Sequence, residues 1–286
     1  MKKLLSTLLV LVLVCSCACA SPIEPVKSFD ETLFPEDAKL LTIRFFDTHS
    51  ASDCFLLSYD GKNMLIDCSE DHVAKHYLIP HMKELGVECL DLVVNTHPHD
   101  DHIDGFAYFA EAFPVGAFYT CFPFDENEEQ KRAIAAAKAH EIPVIRLADE
   151  DIIEMDGLTI RTHSDADKHG LNCASLILHI QYGDSALLLL ADTEPIAQKR
   201  LNLIWGESAK CDIVKLAHHG LNLPSYSFMQ NARPALAVIT NAHTKGTNKS
   251  IQMVHNVGCV DVRFTQNGDI VCVTDGSLWE VWQEWD

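Results

Sequence analysis

The 286-residue chain is predicted to be an α/β fold of packed layers, and three observations predict it. Short apolar runs with strand character recur from Leu41 to Thr274, interleaved with segments whose apolar residues return at helical spacing. Such interleaving buries one face of each element against the next, as in layered α/β domains. Pro and Gly fall singly, as turn markers, and no repeat or low-complexity tract divides the chain beyond its N-terminal stretch. Several apolar runs end in histidine or aspartate, which places chemistry on loops held by rigid elements.

In chain order, Met1-Lys2-Lys3, the apolar run Leu4 to Val14 and the small residues Ala18-Cys19-Ala20 form a secretory signal peptide over residues 1–20. The apolar run is too short to span a bilayer. Val14-Cys15-Ser16-Cys17 also fits a loose lipoprotein site with Cys17 as the lipidated residue, so secreted and membrane-anchored products both stay open. Residues 21–38 read as a polar N-terminal linker segment, and 39–286 as one domain. Strands are expected at Leu41 to Phe46, Cys54 to Tyr59 and Met64 to Asp67, with Asp60-Gly61 as a hairpin turn. A helix follows at Pro80 to Leu85, a strand at Leu90 to Asn95, a helix at Ile103 to Ala112, a strand at Ala117 to Tyr119 and a helix at Glu128 to Ala139. Later strands are expected at Leu158 to Thr162, Ser175 to Tyr182, Ala186 to Asp192, Asp212 to Leu216, Leu236 to Thr240 and Ile270 to Thr274.

The densest chemistry is Thr96-His97-Pro98-His99-Asp100-Asp101-His102, which sets three imidazoles and two carboxylates in six consecutive positions. Imidazole and carboxylate suit zinc and neighbouring divalent metals, and the absence of cysteine argues against a closed structural zinc site. The cluster lies between the strand Leu90 to Asn95 and the helix Ile103 to Ala112, so it is placed on a strand-to-helix loop where its side chains converge.

His-x-His-x-Asp-His after an apolar strand resembles the signature of the metallo-β-lactamase-fold hydrolases. Later stretches are similar to further motifs of that family: Ala186 to Thr193, a strand ending in Asp192, and Cys211 to Gly220, a strand ending in His218-His219-Gly220. The His-His-Gly form, the Phe46 to Leu57 strand-turn-strand, the Asn172 to Leu178 stretch and the Phe264 to Ile270 turn resemble the branch typified by the soluble domain of the competence protein ComEC and by phosphorylcholine esterases. In the opening turn the usual glycines and glutamine are replaced by Ser50, Ala51 and Ser52.

The resemblance implies a four-layer αββα metallo-β-lactamase sandwich and a pair of metal ions, zinc (Zn2+) with manganese (Mn2+) as the alternative. It gives His97 and His99 to one metal, Asp101, His102 and one of the His218-His219 pair to the other, and Asp192 to both. His219 is preferred as the ligand and His218 as a catalytic group touching substrate oxygen or donating a proton, with the reverse assignment open. Asp67 resembles a family aspartate that supports the metal loop. Many relatives carry a further histidine ligand where this chain has Asn172; His163 and His169 lie nearby, and His169 is the alternative ligand there, a solvated loop histidine being favoured. His243 and Lys245 occupy the place of a substrate-side loop, and His72 and His76, four residues apart, read as surface residues.

Composition narrows the function. Against 22 Lys and Arg stand 41 Asp and Glu, a net charge of −19, and no basic stripe is present to neutralise phosphates along a nucleic acid. A small-molecule substrate is therefore expected, with two metals dominating the charge of the cleft. The favoured function is an exported metal-dependent hydrolase using a metal-activated water on a small phosphodiester or phosphoester. The alternatives are a lactam or lactone hydrolase and a catalytically idle metal-binding envelope protein. Beyond the leader there are eight cysteines, Cys54, Cys68, Cys89, Cys121, Cys173, Cys211, Cys259 and Cys272, without zinc-type spacing. Most are expected as buried thiols, with Cys54 and Cys68 on the two hairpin arms as the one candidate bridge. Oligomeric state is left open.

Overall fold

The computed structural model describes residues 25–26, 29–155, 157–165, 170–240 and 246–284. The stretch expected as a leader, with Cys17, and His169, His243 and Lys245 lie outside the described residues. Two sheets form the centre. In spatial order the first runs Pro25–Val26, Trp279–Gln283, Ile270–Thr274, Leu41–Phe45, Phe55–Tyr59, Lys62–Ile66, Leu90–Asn95, Val115–Thr120, Val144–Arg146. The second runs Asp261–Phe264, Leu236–Ile239, Ile213–Lys215, Ser185–Leu189, Ile177–Tyr182, Leu158–His163, Ile152–Met155.

Strand alternation builds the layers. Every second residue of a strand points to the same face, so Leu41, Ile43, Phe45, Phe55 and Leu57 of the first sheet meet Leu178, Ile180, Leu187, Leu189 and Val238 of the second in a central core. The intervening residues Leu56, Leu65 and Val93 face outward, where Leu78, Met82, Phe106, Phe109 and Ala137 of the helices cover them. On the far side Leu188, Val214 and Ala237 are covered by Leu201, Trp205, Phe228 and Val254. Three apolar interfaces stacked in this way make a four-layer αββα sandwich, as the family resemblance implied. The stretch expected as a linker packs on the sheet: Pro25–Val26 pairs parallel with Val281 and Trp282, and Phe34 is buried with Trp282, Val271 and Val273.

Several expectations are corrected. The helix expected from Ile103 to Ala112 is broken: one turn spans Asp100–Ile103 and a second helix Phe106–Ala112. Gly105 lies at the break, where a Cβ would come within 2.0 Å of the Cys68 carbonyl oxygen, so only glycine fits this close approach. Asp101 and His102 thus sit on a helical turn rather than on an irregular loop. The candidate Cys54–Cys68 bridge does not form, and both are buried free thiols. The register Phe55↔Ile66 places Asp67, not Cys68, opposite Cys54, and the positive φ of Asp67 (58°) then ends the ladder. The helices Pro195–Trp205, Tyr226–Ala232 and Asn248–Asn256 escaped the sequence reading, as did the strands Val144–Arg146, Ile152–Met155, Asp261–Phe264 and Trp279–Gln283.

A candidate dinuclear metal centre

Parallel pairing decides where the chemistry gathers. Lys62–Ile66, Leu90–Asn95 and Val115–Thr120 run parallel in the first sheet, as do Ser185–Leu189, Ile213–Lys215 and Leu236–Ile239 in the second. Their carboxyl ends deliver Asp67, the Thr96 to His102 segment, Asp192, the His218-His219 pair and Thr240 to one end of the sandwich, the usual place for a site in such sheets.

Asp101, His102, Asp192 and His219 bring their donor atoms within 4.8 Å of one another. His219 Nε2 lies 3.1 Å and His102 Nε2 3.6 Å from Asp101 Oδ2, and His102 Nε2 is 3.4 Å from Asp192 Oδ1. His97 Nε2 lies 3.0 Å from His99 Nδ1 and 3.7 Å from Asp192 Oδ2; His218 Nε2 also lies 3.7 Å from Asp192 Oδ2. All of these distances are close to the separation of about 3.3 Å between donors bound tetrahedrally to one zinc at about 2.0 Å. His102 Nε2 and Asp192 Oδ1 are buried without a hydrogen-bond partner. Orphaned buried donors and acceptors are rare, and a cation between them would satisfy both. The residues present therefore fit a divalent ion held by Asp101, His102, Asp192 and His219.

A second layer aims the rings. The Asp67 carboxylate accepts from Thr96 N and Thr96 Oγ1, each at 2.7 Å, and lies 2.8 Å from His102 Nδ1. Thr96 Oγ1 is also 3.2 Å from His97 Nδ1. On the other side Thr240 Oγ1 lies 3.2 Å and Asp53 Oδ1 3.3 Å from His219 Nδ1. With Nδ1 engaged outside, Nε2 of His97, His102 and His219 faces the pocket, the arrangement that fixes tautomer and ring angle in metal sites.

The electrostatics follow from crowding acids with imidazoles. Burial opposes charge on His102, but Asp192 and Asp67 outweigh it and lift the imidazole well above its usual range. Burial likewise opposes charge on His219, and Asp53 and Asp101 raise it to about 9. His97 is pushed well below its usual value, first by burial and then by His102. Burial works against the charge of Asp192, yet His102 and His219 hold its carboxyl well below the ordinary range. The same carboxylates would favour a divalent cation, whose binding must displace the protons from these imidazoles.

The family model described as "Metallo-beta-lactamase superfamily" matches residues 47–240, a stretch that contains every one of these groups. The chain belongs to the metallo-beta-lactamase superfamily. Among curated relatives it is 23% identical over 200 residues to ComE operon protein 3 of Bacillus subtilis and 24% identical over 197 residues to competence protein ComA of Neisseria gonorrhoeae. Each match covers 68% of this chain and 26% of the relative, so the chain spans about a quarter of their length. These matches agree with the ComEC-like branch named from the motifs. Among solved structures it is similar to the metallo-beta-lactamase fold protein YhfI of Bacillus subtilis, with a TM-score of 0.58 at 14% identity, covering 82% of this chain and 100% of that one. Membership and the candidate donor set together support a metal-dependent hydrolase.

Of the residues singled out in the sequence, Asp67, His97, His99, Asp101, His102, Asp192, His218 and His219 meet at this site. Asn172 is half-buried and its Oδ1 has no hydrogen-bond partner. His163 turns away, with Nδ1 held by Asp149 at 2.9 Å and Glu150 at 2.6 Å. His72 and His76 are exposed, their rings 4.7 Å apart. Sequence reasoning gave no role to Asp53, Lys215, Thr96 or Thr240. Lys215 carried a usable signal: a lysine inside the apolar strand Ile213–Lys215 is buried only with an acidic partner.

Proposed function

We propose that the chain is an exported dizinc hydrolase of small phosphodiesters or phosphoesters. The observation that carries the reading is the convergence of imidazoles and carboxylates on Asp192, with Nε2 of His97, His102 and His219 each aimed by an outer partner. Two divalent ions held there would make a water reactive near neutral pH and polarise the phosphoryl oxygen under attack. The chain's own part is positional: His97, His99 and Asp192 would hold one ion and Asp101, His102, Asp192 and His219 the other, while Asp67 and Asp53 keep the rings of His102 and His219 in place. No protein nucleophile is needed.

A phosphate ester suits a centre that concentrates positive charge, and a small one suits a surface with a net charge of −19. The leader supports export; among the described residues no helix is long and apolar enough to cross a membrane. The test is turnover of bis-p-nitrophenyl phosphate, nitrocefin and a lactone by zinc- or manganese-loaded protein beside an Asp101→Ala control. Phosphodiester turnover lost in the control supports the reading. Turnover of nitrocefin or the lactone instead overturns the substrate class, and metal binding without any turnover overturns the enzyme.

A further inference from the structure

We propose that Lys215 is a positioning residue for the metal centre, acting through the Ala191 carbonyl that it holds. The proposal rests on the metal reading above and concerns the donor set Asp101, His102, Asp192 and His219. Lys215 is fully buried, a place lysine takes only with partners. A buried ion pair can often be replaced by apolar side chains without loss of stability, so the pairing with Asp53 does not by itself explain the lysine. The rest of its surroundings does.

The strand Ser185–Leu189 has to leave its ladder to aim Asp192 at the centre. Leu190 N still donates to the Lys215 carbonyl at 3.3 Å, but Ala191 has φ of 45°, in the left-handed region that a Cβ disfavours. Strain of this kind persists where the surroundings impose it. The Ala191 carbonyl accepts from two donors, Lys215 Nζ at 3.1 Å and His218 N at 2.9 Å. His218 is itself left-handed, with φ of 52°, so the turn that delivers Asp192 leans on the turn that delivers His219. Lys215 belongs to a regular strand, paired in register with Leu189, and supplies the fixed point for both turns.

The ammonium is held in turn from the opposite sheet. Asp53 lies two residues before the strand Phe55–Tyr59; its amide donates to the Asp101 carbonyl at 3.1 Å and its carbonyl accepts from Ser69 N at 2.9 Å. A chain of contacts from Asp101 through Asp53 and Lys215 to Ala191 thus joins the ligand segments of the two sheets. Lys215 Nζ stands 3.9 Å from Asp192 Oδ1, beyond hydrogen-bond reach, and that oxygen has no other hydrogen-bond partner. The lysine therefore fixes the backbone beside Asp192 while leaving its carboxylate oxygen open to a metal.

The test uses the full chain with Asp53→Asn/Lys215→Met, because Lys215→Met alone strands a buried carboxylate. Zinc affinity is read by competition against a chromophoric chelator, and the Tm of the metal-free protein by calorimetry. A metal-free Tm close to wild type is expected with zinc affinity lowered by roughly 10–100-fold, the range for losing an outer partner, and with an altered visible spectrum of the cobalt-loaded protein. Adding Ala191→Gly should restore affinity by roughly 5-fold or more, because glycine takes the left-handed backbone without an anchor. A change at position 191 cannot repair the contact of Asp53 with His219, so this recovery isolates the part played by Lys215. Wild-type affinity in the double variant, affinity lost only in step with the metal-free Tm, or no recovery with Ala191→Gly would each overturn the proposal. Wild-type protein that binds no zinc would instead remove the metal reading on which it rests.

Discussion

Lys215 and Asp53 form an ion pair fully buried beneath the metal centre. The Lys215 ammonium also donates to the Ala191 carbonyl at 3.1 Å and stands 3.9 Å from Asp192 Oδ1. The other oxygen of Asp53 accepts from Thr240 Oγ1 at 2.5 Å and lies 3.3 Å from His219 Nδ1. Burial opposes the charge of Asp53, yet Lys215, followed by His219, outweighs it and holds the carboxyl well below its usual range.

Lys215→Met should therefore destabilise the fold by about 3–5 kcal/mol, because it strands a buried carboxylate. Asp53→Asn/Lys215→Met should recover most of that loss, since neither charge remains. Urea denaturation of the two variants measures the difference; equal instability in both would show that packing rather than charge is at stake.

Asp67→Asn should weaken metal binding by roughly 10–100-fold, because the ring of His102 loses the carboxylate that orients it 2.8 Å from Nδ1. Competition against a chromophoric chelator reads this directly. Unchanged affinity would mean that His102 does not depend on the Asp67 carboxylate for its orientation.

Gly105→Ala should destabilise the protein strongly. The added Cβ would meet the Cys68 carbonyl oxygen at 2.0 Å and the Ala74 side chain at 2.5 Å, and neither is a flexible tip. The Cys68 amide also donates to the His102 carbonyl at 2.7 Å, so the clash reaches a metal ligand. A lowered Tm with lowered metal content is expected, and a wild-type value for both would refute the steric account.

Removing metal with a chelator should lower Tm, because an ion bound only by the native state stabilises it by about 4 kcal/mol when present at 1,000 times its Kd. Calorimetry with and without chelator, then with added zinc, measures the shift. An unchanged Tm would speak against a metal held by the folded chain.

The His81–Asp269 contact predicts a pH dependence away from the metal. His81 Nε2 lies 3.0 Å from Asp269 Oδ2, and that hydrogen bond lifts His81 above its usual 6.5 in spite of partial burial. The folded state thus holds the proton more tightly than the unfolded chain, so the stabilisation is complete below pH 6.5 and fades as pH rises through the folded value. Wild type should exceed His81→Gln in urea midpoint at pH 5.5, and the gap should close by pH 9. A gap that widens toward high pH would reverse the sign and refute the linkage.

Much of this was legible in the chain because local pattern and buried environment agree. Leu90–Asn95, Glu128–Ala139 and Ile270–Thr274 lie where the apolar pattern placed them, since local pattern and burial there give the same answer. Elements such as Asn248–Asn256, a helix with only Ser250 and Val254 buried, carry too thin an apolar stripe to stand out. The Cys54–Cys68 pairing failed for a related reason. Register is a property of two strands, and Asp67 leaving the ladder is invisible in either one.

By itself the sequence determined the layered class, the family and the ligand types, because His97, His99, Asp101, His102, Asp192 and His219 occur in motifs whose chemistry is local. Only the tertiary structure decided that Asp53 and Lys215 lie beneath the centre and that His218 turns toward Asp192 together with His219. Pairwise distances between residues more than a hundred positions apart, and the handedness of a two-residue turn, are set by how sheets stack rather than by neighbouring side chains.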